Sequence, residues 1–483
     1  MKNILFTIGF ALLFLSPEGN AQSKKERIAE IMQTYHRYNM FDGSVLVAEN
    51  GKLIYKGAFG LANREWNIRN TTDTKFMIGS VSKPLTALLT LILGQKGLLD
   101  LDKTISDYIP EYSAKNGKRI NIRQLMNHTS GIPNYDIMPD FFPKITRQYF
   151  TRQDYIKLFM DSALLFEPGT NYSYSSWGYF TLGYILERVS GKSYPQLIQE
   201  EIFDKLGMYN SGSYYHTQVI DHRASGYDYN LDGYKSADFR DQSNTMGTGD
   251  VYTTVGDLFR LHLAICNNSL LNKDLTREMF TRGIRPWQYG YGWFNQMWKY
   301  TPTDSVFCNY HLGTTEGFLS FLIRIPETNS MAVILCNSAP TDFFGITNNL
   351  VRVLYNKPVK VKKPVSKALA STIRKKGIEI AIKQYDALKQ DTAHYYVEWW
   401  NIDQLGHQLY DLKRNNEALL LFEKNAREFP QQDIALISLG QAYEIVGRKE
   451  DAIIYYQKAI SVNPNNEEAK NRLKNLRKMN VVN

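Results

Sequence analysis

One serine and one lysine three residues apart, Ser80 and Lys83, open the chemical reading of this chain. They lie in Phe76-Met77-Ile78-Gly79-Ser80-Val81-Ser82-Lys83-Pro84, ahead of an apolar run (Leu85, Leu88, Leu89, Ile92, Leu93) with helical spacing. With Ser80 at the start of that helix, the spacing puts Lys83 one turn further along the same face. A serine hydroxyl is a poor nucleophile until its proton is taken, and a lysine kept neutral in a dry pocket can take it. The helix start adds free N–H groups and a positive dipole end for an oxyanion. A lone Ser-x-x-Lys arises by chance about once in a chain of this length, so the pair gains weight only from what accompanies it.

Two further stretches accompany it. Phe166-Glu167-Pro168-Gly169-Thr170-Asn171-Tyr172-Ser173-Tyr174-Ser175-Ser176 is a tight polar loop. A tyrosine in such a loop commonly caps a backbone group. Beside Lys83, Tyr174 becomes a proton shuttle, its phenol acidified by the ammonium. His311-Leu312-Gly313-Thr314 ends a strand. Gly313 lets a substrate backbone lie against the strand edge, and the Thr314 N–H is a second oxyanion donor. Asp228-Tyr229-Asn230-Leu231-Asp232-Gly233 opens like a calcium loop, but its twelfth position is Phe239, so a plain turn is expected.

Elements must hold these groups in place. Lys24 to Tyr38 reads as an amphipathic helix, and Ser44–Ala48 and Leu53–Tyr55 as strands joined across Asn50-Gly51. Ile122 to Met126 and Trp177 to Ser190 read as helices, and Thr254 caps another over Leu258 to Ile265. Strands are expected over Tyr291–Trp298, Ser305–Tyr310, Phe318–Ile325 and Met331–Cys336. Strands at the front and back of one region, with helices between, imply a mainly antiparallel sheet with helices packed on it.

Beyond residue 366 the texture changes. Leu405-Gly406 recurs as Leu439-Gly440, Ala418 as Ala452, Phe422 as Tyr456 and Pro430 as Pro464, each 34 residues on. That is the period of tetratricopeptide repeats. Two regular units cover about 399–432 and 433–466, a polar helix from Glu467 to Lys478 caps them, and Gly377–Ile382 echoes a degenerate unit. Isolated pairs of repeats are marginal, so the degenerate unit and the preceding domain are expected to complete the stack.

Composition sets outer bounds. The chain has 483 residues, 43% hydrophobic and 22% charged, with a net charge of +9. This is globular, long enough for two or three domains. The densest basic run, Lys357 to Lys363, is flanked by prolines and reads as a solvated linker; no basic stripe of the nucleic-acid-binding kind is present. Lys2, the apolar run Ile4 to Leu15 and the small residues Gly19-Asn20-Ala21 form an export signal over residues 1–21, too short to span a bilayer. Cys266, Cys308 and Cys336 fit no metal pattern and are read as buried free thiols.

In order and spacing, Ser80-x-x-Lys83, Tyr174-x-Ser176 and His311-x-Gly313 resemble the serine β-lactamase and penicillin-binding-protein superfamily. The likeness is greatest to its class C β-lactamase, D-stereospecific peptidase and family VIII esterase branch, and covers about residues 24 to 357. Leu125–Pro133 and Met246–Thr254 also look like recurring segments of that branch, with His128 read as structural. The resemblance implies an α/β (α+β) fold for residues 22–357, which a linker at 358–366 joins to the all-α repeat domain at 367–483 read from the 34-residue period. It implies a hydrolase without metal or organic cofactor, and the signal at 1–21 makes it exported, periplasmic or secreted, without a transmembrane anchor. Ser80, Lys83 and Tyr174 would be catalytic, with Ser176, His311, Gly313 and Thr314 around substrate and oxyanion. Small molecules or cell-wall peptides (a β-lactam, a D-amino-acid peptide or a small ester) would be substrates, and a protein partner would engage the repeats. Two departures stand out. Ser176 replaces the motif's asparagine, and His311 stands where a lysine would give a permanent charge. Both reduce the expectation of efficient β-lactam hydrolysis and leave open the alternative of a weak or inactive scaffold.

Overall fold

In this computed structural model, residues 22–479 are described apart from 216, 285, 287 and 340; the export signal at 1–21 lies outside them. Among the described residues no helix is long and apolar enough to cross a membrane. The chain opens with α1 (Lys24–Arg37), whose Ser23 and Glu26 form a reciprocal N-terminal cap, followed by the hairpin β1 (Gly43–Glu49) and β2 (Lys52–Phe59). The strands β5 (Phe294–Lys299), β6 (Ser305–Thr315), β7 (Phe318–Ile325) and β8 (Ser330–Cys336) complete a sheet of order β5-β6-β7-β8-β1-β2, with each pairing antiparallel. Front and back of the region thus meet where β1 pairs β8, Gly43 opposite Cys336. The expected strand at Tyr291 starts only at Phe294, because residues 290–293 form a turn, with the Gly290 N–H bonded to the Trp293 carbonyl and Gly292 at a φ of +81°.

Both faces of this sheet are covered, and the two-residue period of the strands decides which side chain goes where. Val45 and Val47 of β1, with Ala332 and Ile334 of β8, face a core shared with α1 and α5 (Phe343–Leu354). Leu46, Val333 and Leu335 face the other way, against α2 (Ser82–Gln95), α3 (Ser176–Ser190) and α4 (Val255–Cys266). α2 is buried on all sides from Ser82 to Leu93, at the centre of that second core.

The stretch compared with a calcium loop is a hairpin, β3 (Tyr227–Asn230) and β4 (Gly233–Ser236), turning at Leu231-Asp232. Leu231 is buried in the core of the C-terminal helices. Those helices form antiparallel pairs: α6 (Val365–Lys376) with α7 (Ile378–Gln390), α8 (Trp399–Asp411) with α9 (Asn415–Glu428), and α10 (Asp433–Ile445) with α11 (Lys449–Val462), closed by α12 (Glu467–Met479). The degenerate unit is therefore a full helix pair. Arg374 donates to the Tyr229 hydroxyl, Lys367 lies 4.6 Å from the Tyr229 ring, and the Tyr396 hydroxyl reaches Asp342 at 3.4 Å, so the helices are fastened to the sheet-bearing region.

Two expectations change. The lysine-rich segment is no free solvated linker: Val359 and Val361 pack towards α1, Arg27 bonds the Lys357 carbonyl, and Lys363–Pro364 pairs in parallel with Tyr395–Tyr396. Val359 and Val361 alternate with Lys360 and Lys362, so one edge of the segment is partly buried, and Lys363 beyond them is itself half-buried, which lowers its pKa. Cys308 and Cys336 are buried free thiols as expected, but Cys266 is half-buried, its sulfur 3.3 Å from Arg324 Nη2.

Candidate active site

The reactive turn is a short 3-10 segment, Gly79–Val81, that runs directly into α2. Tertiary contacts fix it from both sides. Ile78 N–H donates to the Val251 carbonyl at 2.9 Å, and the Ser320 hydroxyl donates to the Ile78 carbonyl at 2.7 Å. β6 presses against the same turn at Gly313, where an added Cβ would lie 2.0 Å from the Ile78 oxygen. Only glycine permits this approach. It brings the Thr314 backbone alongside Gly79, and Ser80, Thr314 and Thr315 line one cleft. That cleft, about 400 Å³ with its open mouth, is completed by Tyr135, Ser176, Arg240 and the loop bearing Thr248 and Gly249.

Lys83 is fully buried, with Nζ 3.1 Å from Ser80 Oγ and 3.0 Å from the Thr248 carbonyl. Burial brings its pKa from 10.5 down to about 7; the positive charge of Arg240 pushes the same way, and Asp250 pushes back. Asp250 is itself buried and raised to about 6 despite accepting from Ser213 and the Gly247 N–H. At neutral pH a large share of Lys83 is therefore a free amine within reach of the serine.

Tyr174 lies beside this pair, its ring 4.9 Å from Lys83 Nζ. Burial raises its pKa well above the ordinary phenol value, and the hydrogen bond with Ser80 offsets this only in part. The expectation of an acidified phenol is thus reversed. The ammonium that was to acidify it is itself partly discharged at neutral pH, and a dry pocket disfavours phenolate.

Behind Tyr174 stands an aromatic cluster. The His128 ring lies 4.3 Å from that of Tyr174, 5.0 Å from Tyr179 and 4.6 Å from Tyr289. His128 Nδ1 accepts the Ser175 N–H at 3.1 Å, and burial holds this imidazole well below its ordinary pKa. His128 orients the loop that carries Tyr174, in keeping with the structural reading.

His311 sits inside β6 rather than at its end, and its ring is buried away from the cleft lining. Nδ1 donates to the Leu312 carbonyl at 2.7 Å, and Nε2 lies 2.9 Å from the Tyr289 hydroxyl, which donates to it. Burial and the nearby Lys83 lower its pKa to about 3, so it is a neutral ring supporting the aromatic cluster. Expected as a group around the substrate, it is held in place by the Leu312 carbonyl and the Tyr289 hydroxyl. Ser176 does line the cleft, and its N–H donates to Asn134 Oδ1 at 2.9 Å. A carboxamide therefore stands beside the second motif, supplied by Asn134 from the segment after Gly131-Ile132-Pro133. Sequence reading placed Thr248 only within a recurring segment and passed over Asn134, Tyr289 and Arg240, of which only Arg240 carried a local signal, a lone cation in a loop of Asp, Asn, Ser and Thr.

The chain belongs to the Beta-lactamase family, which it matches over residues 25–357, and residues 434–466 match the Tetratricopeptide repeat. It is 29% identical over 384 residues to Penicillin-binding protein 4* of Bacillus subtilis (strain 168), spanning 75% of this chain and 82% of that one. It is 28% identical over 335 residues to a Teichoic acid D-alanine hydrolase of Staphylococcus aureus, spanning 68% and 77%. Among solved structures, FmtA from Staphylococcus aureus superposes with a TM-score of 0.59 at 25% identity, covering 71% of this chain and 93% of that one. D-amino acid amidase from Ochrobactrum anthropi SV3 does so at 0.59 with 24% identity, over 69% and 99%, a likeness of fold alone. Fold and family together support a serine hydrolase with a mixed α/β body and a C-terminal helical repeat region.

Proposed function

We propose that this chain is an exported serine hydrolase working through an acyl-enzyme on an amide or ester. The observation that carries the reading is the fully buried Lys83, its pKa lowered to about 7, with Nζ 3.1 Å from Ser80 Oγ. Neutral Lys83 takes the Ser80 proton as Oγ attacks the carbonyl carbon. The Ser80 and Thr314 N–H groups receive the oxyanion, which the close seat of Gly313 on the Ile78 carbonyl permits. Tyr174, protonated throughout its resting state, passes its proton to the leaving group and is reprotonated from Lys83. Water then cleaves the ester on Ser80 by the same groups in reverse.

With no permanent charge on the strand and a serine at position 176, simple esters and D-amino-acid esters or amides fit this cleft better than β-lactams. The two named relatives, a penicillin-binding protein and a D-alanine hydrolase of teichoic acid, support a cell-envelope substrate. Intact-mass measurement after incubation with a p-nitrophenyl ester, a D-peptide and a β-lactam tests the reading. One acyl group on Ser80 is expected from the ester; no adduct from any of the three would overturn the proposal.

A further inference from the structure

A second cavity opens between the sheet-bearing region and the repeat helices and shares no residue with the cleft. It holds about 620 Å³ with its open mouth, within the size range of small-molecule sites. One wall is the first turns of α8. There Trp400, Gln404 and Gln408 follow one another at single-turn spacing along one face, and Asn401 and Leu405 repeat that spacing beside them. The other walls are Met40, Tyr229 and Asn230 of the β3–β4 hairpin, Lys367 of α6, and Asp342 ahead of α5.

What these groups already bond decides what the cavity can take. Lys367 Nζ donates to the Asn39 carbonyl at 3.3 Å and lies 4.6 Å from the Tyr229 ring. Asp342 Oδ1 accepts the Gly345 N–H at 2.8 Å, and Oδ2 accepts the Tyr396 hydroxyl at 3.4 Å. Both charges therefore have partners, and they are of opposite sign. The carboxamides are less engaged. Among the described residues no group bonds the amide of Gln404 or Gln408, and Asn230 uses only Oδ1, on the Asp232 N–H. Asn401 Nδ2 is buried beside Tyr396 without a hydrogen bond of proper geometry. A carboxamide both donates and accepts, so four of them match a ligand whose own groups do both.

Trp400 adds a second requirement. It is 43% exposed at this cavity, and among the described residues no other ring stacks on it. Its indole offers an apolar face. A pyranose ring meets both conditions, with a C–H face for the indole and a rim of hydroxyls for the amides. A small ion would leave Trp400 unused, and an apolar ligand would strip the carboxamides of water without replacing the lost bonds. A short peptide could pair with the amides, but its charged ends would have to displace the partners that Lys367 and Asp342 already have.

We infer that this cavity is a carbohydrate-binding site that takes one or two pyranose units, a ring face on Trp400 and hydroxyls on Asn230, Asn401, Gln404 and Gln408. Its walls come from both regions of the chain, so a bound sugar ties the repeats to the sheet-bearing region and leaves the cleft free. The inference does not depend on the hydrolase reading.

The test is isothermal titration of the full-length chain with cellobiose, maltose, N,N′-diacetylchitobiose and the dipeptide Ala-Ala. At least one sugar is expected to bind with a Kd of about 10 mM or tighter. Trp400→Ala is expected to weaken that binding about tenfold or more, and Gln404→Ala about threefold. Wild-type chain that binds none of the three sugars at about 20 mM overturns the inference. Binding unchanged in both variants, or in Gln404→Ala alone should Trp400→Ala fail to fold, overturns it by placing the sugar elsewhere. Ala-Ala bound as tightly as the best of the sugars overturns it in favour of a peptide site.

Discussion

The repeat helices and the cleft are built by opposite methods. In the repeats, Gly406 lies under the Phe422 ring and Gly440 under the Tyr456 ring, an added Cβ meeting a ring carbon at 2.6 Å in both. The same contact recurs one repeat later, between residues 16 apart in sequence. In the cleft, Lys83 meets Thr248 across 165 residues and Ser320 meets Ile78 across 242. Nothing there is repeated, and the buried groups (Lys83, His128, Asp250, His311) are of kinds that folding alone would leave in water. Stability in the repeats is shared among similar small contacts, whereas in the cleft costly groups are held in place by the structure around them.

The largest test of this contrast is Ser80→Ala. It should cut ester turnover by at least about 10³-fold and leave the melting temperature unchanged, since a small exposed-side hydroxyl is lost. Retained turnover would mean that the cleft is not where the chemistry occurs. Next comes pH. With Lys83 as the base, kcat/KM should rise towards a midpoint near its pKa of about 7 and then level off. Arg240 lowers this pKa and Asp250 raises it, with His128 and His311 neutral beside it, so Arg240→Gln should move the limb to higher pH. The same shift acts on folding. Between about 7 and 10.5 the unfolded chain holds a proton on Lys83 that the folded chain has shed. Stability contributed through this group should therefore rise with pH across that window, and Lys83→Met should remove the slope. Urea denaturation at several pH values reads it directly.

Smaller effects fall on the other side of the comparison. Gly440→Ala should destabilise the repeats by about 1–3 kcal/mol as the Tyr456 ring is forced aside, with ester kinetics unaltered. Ending the chain after Lys357 should lower the melting temperature and keep turnover, since Leu231 and the Tyr229 ring lose their cover. An unchanged melting curve would make the repeats an independent arm; a stable but inactive short form would show that they shape the cleft. The smallest change is expected from Ser176→Asn, a shift of a few-fold in the ratio of amide to ester hydrolysis. No shift would mean that the Asn134 carboxamide already serves this corner.

Legibility followed the same divide. The 34-residue period and the Ser80–Lys83 helix were readable because both are local patterns, as was the sheet, whose strands announce themselves by β-branched runs. The buried cradle of Lys83 was not. Thr248 acts through its backbone carbonyl, which no side-chain pattern reveals, and Tyr289 and Asn134 arrive from loops. For His311 the motif position was readable, but its bond with Tyr289 was not, because Tyr289 lies 22 residues upstream outside the strands.

The Leu231 hairpin tip has a consequence for how the molecule comes into being. Its cover begins at Val365, so a growing chain exposes this leucine until more than a hundred further residues have been made. At synthesis rates of about 5–20 residues per second, the interval is roughly 7 to 27 seconds. During that time the N-terminal body can close its sheet only if β8 has arrived, and it must then wait with an uncovered apolar knob. The helices made later are thus the lid on a hairpin tip made earlier.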